Sequence, residues 1–274
     1  MHPHGGDMFR TTALDPLFTA LDSESFTDRH LATLAAGTLA AVRVPDFLDP
    51  TVCQTAMTAL DRLPTADYDP DRVPTSIVRF GPALNDYRTP DGRLNADRYW
   101  HDAETARTAW QRAGMRPDPI AISLARLGSA WGAAVAPATI GGRAVFGGTF
   151  REINAGALVH YDDINREFPD GLFDQEVVAQ LAYNVWVAVP DAGGATTVWR
   201  HRWEPADEQH RQAYGYRAET VEHCQHISLT PRLGDALLFN PANFHSVEAN
   251  PTGRRIAFAV FLGLTTTGQL IVWS

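Results

Sequence analysis

Hydrophobic positions change period along this chain. Up to about residue 140 they recur three and four apart in several stretches, and after Gly141 and Gly142 they come in short runs broken by Gly, Pro, Asn and Asp. The first pattern predicts helices and the second predicts strands. Residues 12–36 space Leu14, Leu17, Phe18 and Leu21 loosely at helical intervals, which predicts a helix or two on the outside. Thr38 to Val44 reads as a strand that Pro45 ends. Asp49 suits an N-cap and Pro50 a first helical position, so a helix follows with Val52, Ala56, Leu60 and Leu63 on its apolar face.

From Thr65 to Asn95 the chain is rich in Pro, Asp and Gly around one strand, Ser76 to Phe80, and is read as loops near a substrate entrance. Asp102 is read as the cap of a helix ending near Gly114, with Ala103, Ala106, Trp110 and Ala113 on one face. A second helix spans about Ile120 to Trp131. Strands are then expected at Arg143–Phe146, Thr149–Ile153, Leu158–Asp162, Val177–Val189, Ala195–Trp199, Val221–Leu229, Ala236–Asn240 and Arg255–Leu262. One helix interrupts them, starting at Pro205 and ending before Gly215. The fold class expected is mainly β with flanking helices (α+β), a double-stranded β-helix or jelly roll of the cupin kind. Residues 1–274 are read as one domain, with helical support and entrance loops over 1–140 and the jelly-roll core over 141–274.

Composition narrows the function. A net charge of −9 and only two cysteines, Cys53 and Cys224, argue against a phosphate-neutralising surface, a disulfide framework and a zinc knuckle. The N-terminus lacks a basic stretch followed by an apolar one, and no run of about 18 apolar residues occurs. A cytoplasmic protein with neither nucleic-acid nor membrane partners is expected. His2 and His4 are read as part of a polar tail.

Candidate chemistry centres on His160-Tyr161-Asp162. Residues two apart on a strand face the same way, so this strand offers an imidazole and a carboxylate together. A third ligand is available from His245, 85 positions on (245 − 160). Two imidazoles and one carboxylate with open positions suit non-haem Fe(II) and O2 chemistry, although zinc takes the same ligands in hydrolases.

With Arg255 ten positions after His245 (255 − 245), the chain resembles the Fe(II)/2-oxoglutarate-dependent oxygenases, whose signature is HxD, a distal His and a later basic residue. Pro45 to Pro50, Gly193-Gly194, Leu229 to Asn240 and Gly253 to Phe258 fit as well, so the resemblance covers residue 38 to the C-terminus. Val198 to Glu208 and Ile271 to Ser274 are similar to the bacterial subgroup of amino-acid-derivative hydroxylases and indole-alkaloid halogenases. The resemblance implies His160, Asp162 and His245 as both catalytic and metal residues, with Fe(II), 2-oxoglutarate and O2 as cofactor and co-substrates. It implies release of succinate and CO2 and hydroxylation of an unactivated C–H bond in a small molecule, an amino acid or its derivative. Desaturation is the alternative outcome. In the halogenating relatives a small residue replaces the carboxylate and admits chloride; Asp162 here favours hydroxylation. A metal-binding cupin without turnover, serving as sensor or scaffold, is the rival reading.

Arg255 is the candidate partner for the distal carboxylate of 2-oxoglutarate, because strand alternation puts it with the small Ala257 and Ala259. Arg254 competes for the role if the register slips by one. In the strand Val177–Val189, Gln180, Asn184 and Trp186 share a face opposite Leu181, Tyr183, Val185 and Val187. Asn184 is therefore a candidate co-substrate contact, with a structural hydrogen bond as the alternative. His201, His210, His223 and His226 lack a partner for a second metal site, and Trp199 and Trp203 read as packing residues. The segment Asp163–Glu176, with Arg166, Phe168 and Phe173, is either a lid or a plain connection.

Overall fold

The computed structural model describes residues 18–274. Its helices are α1 (Asp28–Ala35), α2 (Pro50–Leu60), α3 (Ala96–Ala113), α4 (Pro119–Trp131) and the single turn α5 (Ile164–Glu167). Its principal strands are β1 (Ala20–Asp22), β2 (Ala41–Val44), β3 (Val78–Phe80), β4 (Phe150–Glu152), β5 (Ala157–His160), β6 (Val177–Ala188), β7 (Thr196–Arg202), β8 (Gly215–Tyr216), β9 (His226–Leu229), β10 (Ala236–Phe239), β11 (Asn243–Val247), β12 (Ile256–Thr265) and β13 (Leu270–Trp273).

Two sheets face each other. The larger runs β1-β2-β10-β6-β12-β4-β3, with β13 also on β12, and the smaller runs β8-β5-β11-β7-β9. The long β6 and β12 pair antiparallel from Val177 opposite Thr265 to Ala188 opposite Ile256 and form the spine of the larger sheet. On one face of β6, Leu181, Tyr183, Val185 and Val187 are buried in the main core. That core also takes in Val52, Ala56 and Leu60 of α2, Ala103 and Ala106 of α3, and Leu127 of α4. The opposite face of β6, with Ala182 and Trp186, packs with Val198, Phe239 and Ala257 between the sheets. This is the jelly roll expected from the strand pattern, with helices covering its outer face.

Local chemistry explains most element ends. Asp49 accepts from the Thr51 amide to cap α2, and Asp118 does the same for α4 through Ile120. Gly114 ends α3 at φ +59°, which a residue without Cβ adopts at no steric cost.

Several expectations need correction. Leu14 and Leu17 lie outside the described residues, and Leu21 belongs to the strand β1 with its side chain 41% exposed, since parallel pairing to β2 outweighs the loose helical spacing. Asn95, not Asp102, caps α3; Asp102 sits inside the helix and accepts from the Tyr87 hydroxyl. The helix expected up to Gly215 is a short 3-10 turn, Pro205–His210, and Gly215 lies in β8, where a Cβ would come within 2.5 Å of the Val159 carbonyl. β11, which carries His245, and the closing β13 were absent from the expected strands. The division near residue 140 also blurs, because β1, β2 and β3 belong to the larger sheet.

Candidate active site

His160 ends β5 and His245 lies in β11, and the two residues are register partners across the smaller sheet. Their ring centroids are 4.2 Å apart. Asp162 stands two residues beyond the end of β5, where its amide donates to the Pro241 carbonyl, so the chain leading into β11 fixes its position. The Asp162 carboxylate lies 3.3 Å from His245 Nε2 and 3.8 Å from His160 Nε2, and one ligand atom from each residue lies within 4.8 Å of the others. Ligands about 2.1 Å from one ion and at right angles lie about 3 Å apart, so the set fits a single divalent metal.

Both histidines are held the same way. His160 Nδ1 lies 2.7 Å from the Leu158 carbonyl and His245 Nδ1 lies 3.0 Å from the Asn243 carbonyl. A carbonyl accepts only, so each Nδ1 carries the proton and each Nε2 presents a lone pair toward Asp162. Burial, and next the neighbouring His245, push the His160 pKa down to about 4, which keeps it neutral. Burial alone would raise the Asp162 carboxyl, but the adjacent His245 and His160 rings hold it below its ordinary value. Two neutral imidazoles and one carboxylate are the protonation states a divalent metal requires.

A cavity of about 690 Å³ between the sheets is lined by all three residues, and by Asn184 and Arg255. Arg255 precedes β12 and is 2% exposed. Its Nε donates to the Gly194 carbonyl at 2.8 Å and its Nη2 to Thr196 Oγ1 at 2.9 Å, but it meets no carboxylate among the described residues. Burial alone pushes its pKa down to about 10. A buried guanidinium with only neutral partners is costly unless an anion joins it, and the small Ala259 beside it leaves room for one. The group present therefore fits a dicarboxylate co-substrate.

Arg254 goes elsewhere. It pairs on the outside with Glu152 at 2.7 Å and Asp61 at 2.7 Å, while its neighbours Ile256, Phe258 and Val260 enter the main core. Asn184 lies on the cavity face of β6 as alternation requires. Gln180 on that face accepts from the Ile164 amide at 2.9 Å, which anchors α5 directly after Asp162.

The segment after Asp162 packs rather than hangs free: Phe168 is buried and Phe173 lies 5.0 Å, centroid to centroid, from Trp273. Trp203 lies under the Arg166 guanidinium, and His201 stacks on Phe244 with its Nε2 3.1 Å from Asp207. These are packing and pairing roles. Sequence reasoning missed Thr196, Arg72, Arg88, Arg151 and Glu167, all of which line the cavity. Only the expectation of entrance loops between Thr65 and Asn95 pointed toward two of them.

Comparisons with known proteins agree with this geometry. The family model described as carrier-protein-independent halogenase WelO5 matches residues 142–274. An L-gamma-glutamyl-L-propargylglycine hydroxylase of Streptantibioticus cattleyicolor is 54% identical over 268 residues, 97% of this chain and 100% of that one. The Leucinostatins biosynthesis cluster protein S of Purpureocillium lilacinum is 33% identical over 146 residues, 48% of this chain and 59% of that one. Among solved structures, an N-substituted L-amino acid dioxygenase from Burkholderia ambifaria superposes with TM-score 0.62 at 18% identity, covering 90% of this chain and 91% of that one, which bears on the fold. Among the described residues no helix is long and apolar enough to cross a membrane. On the full-length identity, with the fold and the donor set in accord, this chain belongs to the Fe(II)/2-oxoglutarate-dependent oxygenases and is a hydroxylase acting on a small molecule.

Proposed function

We propose that this oxygenase hydroxylates an unactivated C–H bond in a γ-glutamyl amino acid, with His160, Asp162 and His245 holding Fe(II) and Arg255 holding 2-oxoglutarate. The observation that carries the reading is the buried Arg255 guanidinium, which has no acidic partner among the described residues and lines the same cavity as the His-Asp-His cluster. The substrate class is supported by the 54% identical relative, which is named for L-gamma-glutamyl-L-propargylglycine.

In this reading Arg255 and Thr196 bind the distal carboxylate of 2-oxoglutarate, and the Trp186 ring 5.8 Å from the guanidinium keeps water from that contact. Asn184 contacts the co-substrate from the neighbouring strand β6. Bound Fe(II) supplies the activation of O2 that is coupled to decarboxylation of 2-oxoglutarate to succinate. The backbone carbonyls of Leu158 and Asn243 keep both imidazole lone pairs aimed at one point, and Asp162 supplies the negative charge. Asp162 also fills the position that a halide needs, which favours hydroxyl transfer.

The test is anaerobic addition of Fe(II) and 2-oxoglutarate, followed by air and substrate. The expected results are a weak visible charge-transfer band, then succinate whose release L-gamma-glutamyl-L-propargylglycine stimulates, and a product heavier by one oxygen. Alanine at His160, Asp162 or His245 removes the band and the turnover. Normal turnover in any of those variants removes that residue from the site.

A further inference from the structure

Charges of both signs meet at one wall of the cavity, where the entrance loop approaches α5. Arg72 and Arg88 are half-buried there and form no ion pair among the described residues. Arg72 donates to the Asn85 carbonyl and Arg88 to the Glu167 carbonyl, so each fork is anchored by one N–H and keeps further donors uncommitted. Glu167 also lines the cavity, and its carboxylate makes no hydrogen bond or ion pair among the described residues. Asn85 also lines the cavity, with its Oδ1 buried and without a hydrogen-bond partner. Uncommitted guanidinium donors and an unpaired carboxylate at a cavity wall leave pairing for a ligand to complete.

The pattern has a definite complement. Two guanidiniums ask for a carboxylate, and an unpaired carboxylate asks for a cation that donates hydrogen bonds. Burial, and next the charge of Asp162, push Glu167 up to about 8, against the pull of Arg72 and Arg88. An ammonium beside it restores the carboxylate. None of these residues shares a hydrogen-bond partner with Arg255, so they stand apart from the arginine assigned to 2-oxoglutarate. We infer that Arg72, Arg88 and Glu167 form a subsite for the zwitterionic head of the substrate, its carboxylate on the two arginines and its ammonium on Glu167. The inference rests on the γ-glutamyl reading. In such a dipeptide the glutamyl α-carbon carries both charges, several bonds from the other residue, so head recognition leaves that residue free to face the metal centre.

The experiment compares L-gamma-glutamyl-L-propargylglycine with N-glutaryl-L-propargylglycine, which keeps the chain and both carboxylates but lacks the amine. KM and kcat are read from succinate release and product mass for the native protein, Glu167→Gln and Arg88→Met. The anaerobic Fe(II)/2-oxoglutarate band serves as the check on fold and metal centre. The expected native preference for the γ-glutamyl compound is tenfold or more in kcat/KM, mostly in KM. Glu167→Gln retains the band and brings the two compounds within about threefold of each other. Arg88→Met raises KM for both by tenfold or more. If the native protein uses both compounds equally, or Glu167→Gln keeps the full preference, the subsite is overturned while the γ-glutamyl reading stands. If the γ-glutamyl compound fails to stimulate succinate release, both are overturned.

Discussion

Arg255→Met separates two effects of one buried charge. Holding this guanidinium without an anion is unfavourable: a fall in pKa from the ordinary arginine range to about 10 corresponds to about 3 kcal/mol. Its hydrogen bonds to the Gly194 carbonyl and Thr196 Oγ1 return about 1.5 kcal/mol each, the worth of a bond from a charged donor. The two contributions offset, and Met keeps most of the stem volume against Trp186. Without co-substrate the protein should therefore change in stability by about 1 kcal/mol or less. Binding behaves differently. Losing a charge-assisted two-point contact costs about 2–4 kcal/mol, which weakens 2-oxoglutarate about 30- to 900-fold. The assay is urea unfolding of the protein with a redox-silent divalent metal, with and without 2-oxoglutarate, beside the KM for 2-oxoglutarate. A co-substrate concentration of 100 times the native Kd stabilises the native protein by about 2.7 kcal/mol and the variant by less than about 1 kcal/mol. A variant that binds 2-oxoglutarate within about threefold of native would refute the argument. So would a loss of more than about 3 kcal/mol in the ligand-free protein, since Arg255 would then be a structural group.

Three further outcomes are expected. The metal-free protein loses stability as pH falls from 7 to 5. The unfolded His160 protonates near 6.5 and the folded one only near 4, so protons favour the unfolded state in that window by about 2 kcal/mol. Chemical denaturation at the two pH values measures this, and His160→Gln should flatten the dependence. Arg254→Ala leaves the 2-oxoglutarate KM unchanged and costs about 1 kcal/mol or less, because its pairs with Glu152 and Asp61 are half exposed; a raised KM would reassign the co-substrate arginine. With excess chloride or bromide the native protein yields hydroxylated product without halogenation by mass spectrometry. A dominant halogenated product would exclude Asp162 from the metal centre.

What the sequence determined by itself is what depends on short range. Period-2 alternation put Asn184 and Trp186 on one face of a strand and Leu181 and Tyr183 on the other, and the two faces do go to the cavity side and the main core. The same alternation separated Arg255 from Arg254. The cap at Asp49 acts within three residues, so the start of α2 is legible in the sequence. Other features were decided by partners distant in the chain. β1 looks weakly helical and becomes a strand because β2 offers an edge to pair with. β11 has few apolar residues of its own and forms because β5 and β7 bond it from both sides, which is also what aligns His245 with His160. The wall of Arg72, Arg88, Asn85 and Glu167 carries no local signal at all. Its residues lie up to 95 positions apart (167 − 72), and their charges mean something only once the sandwich brings the entrance loop against α5 and leaves those groups half-buried without ion-pair partners among the described residues.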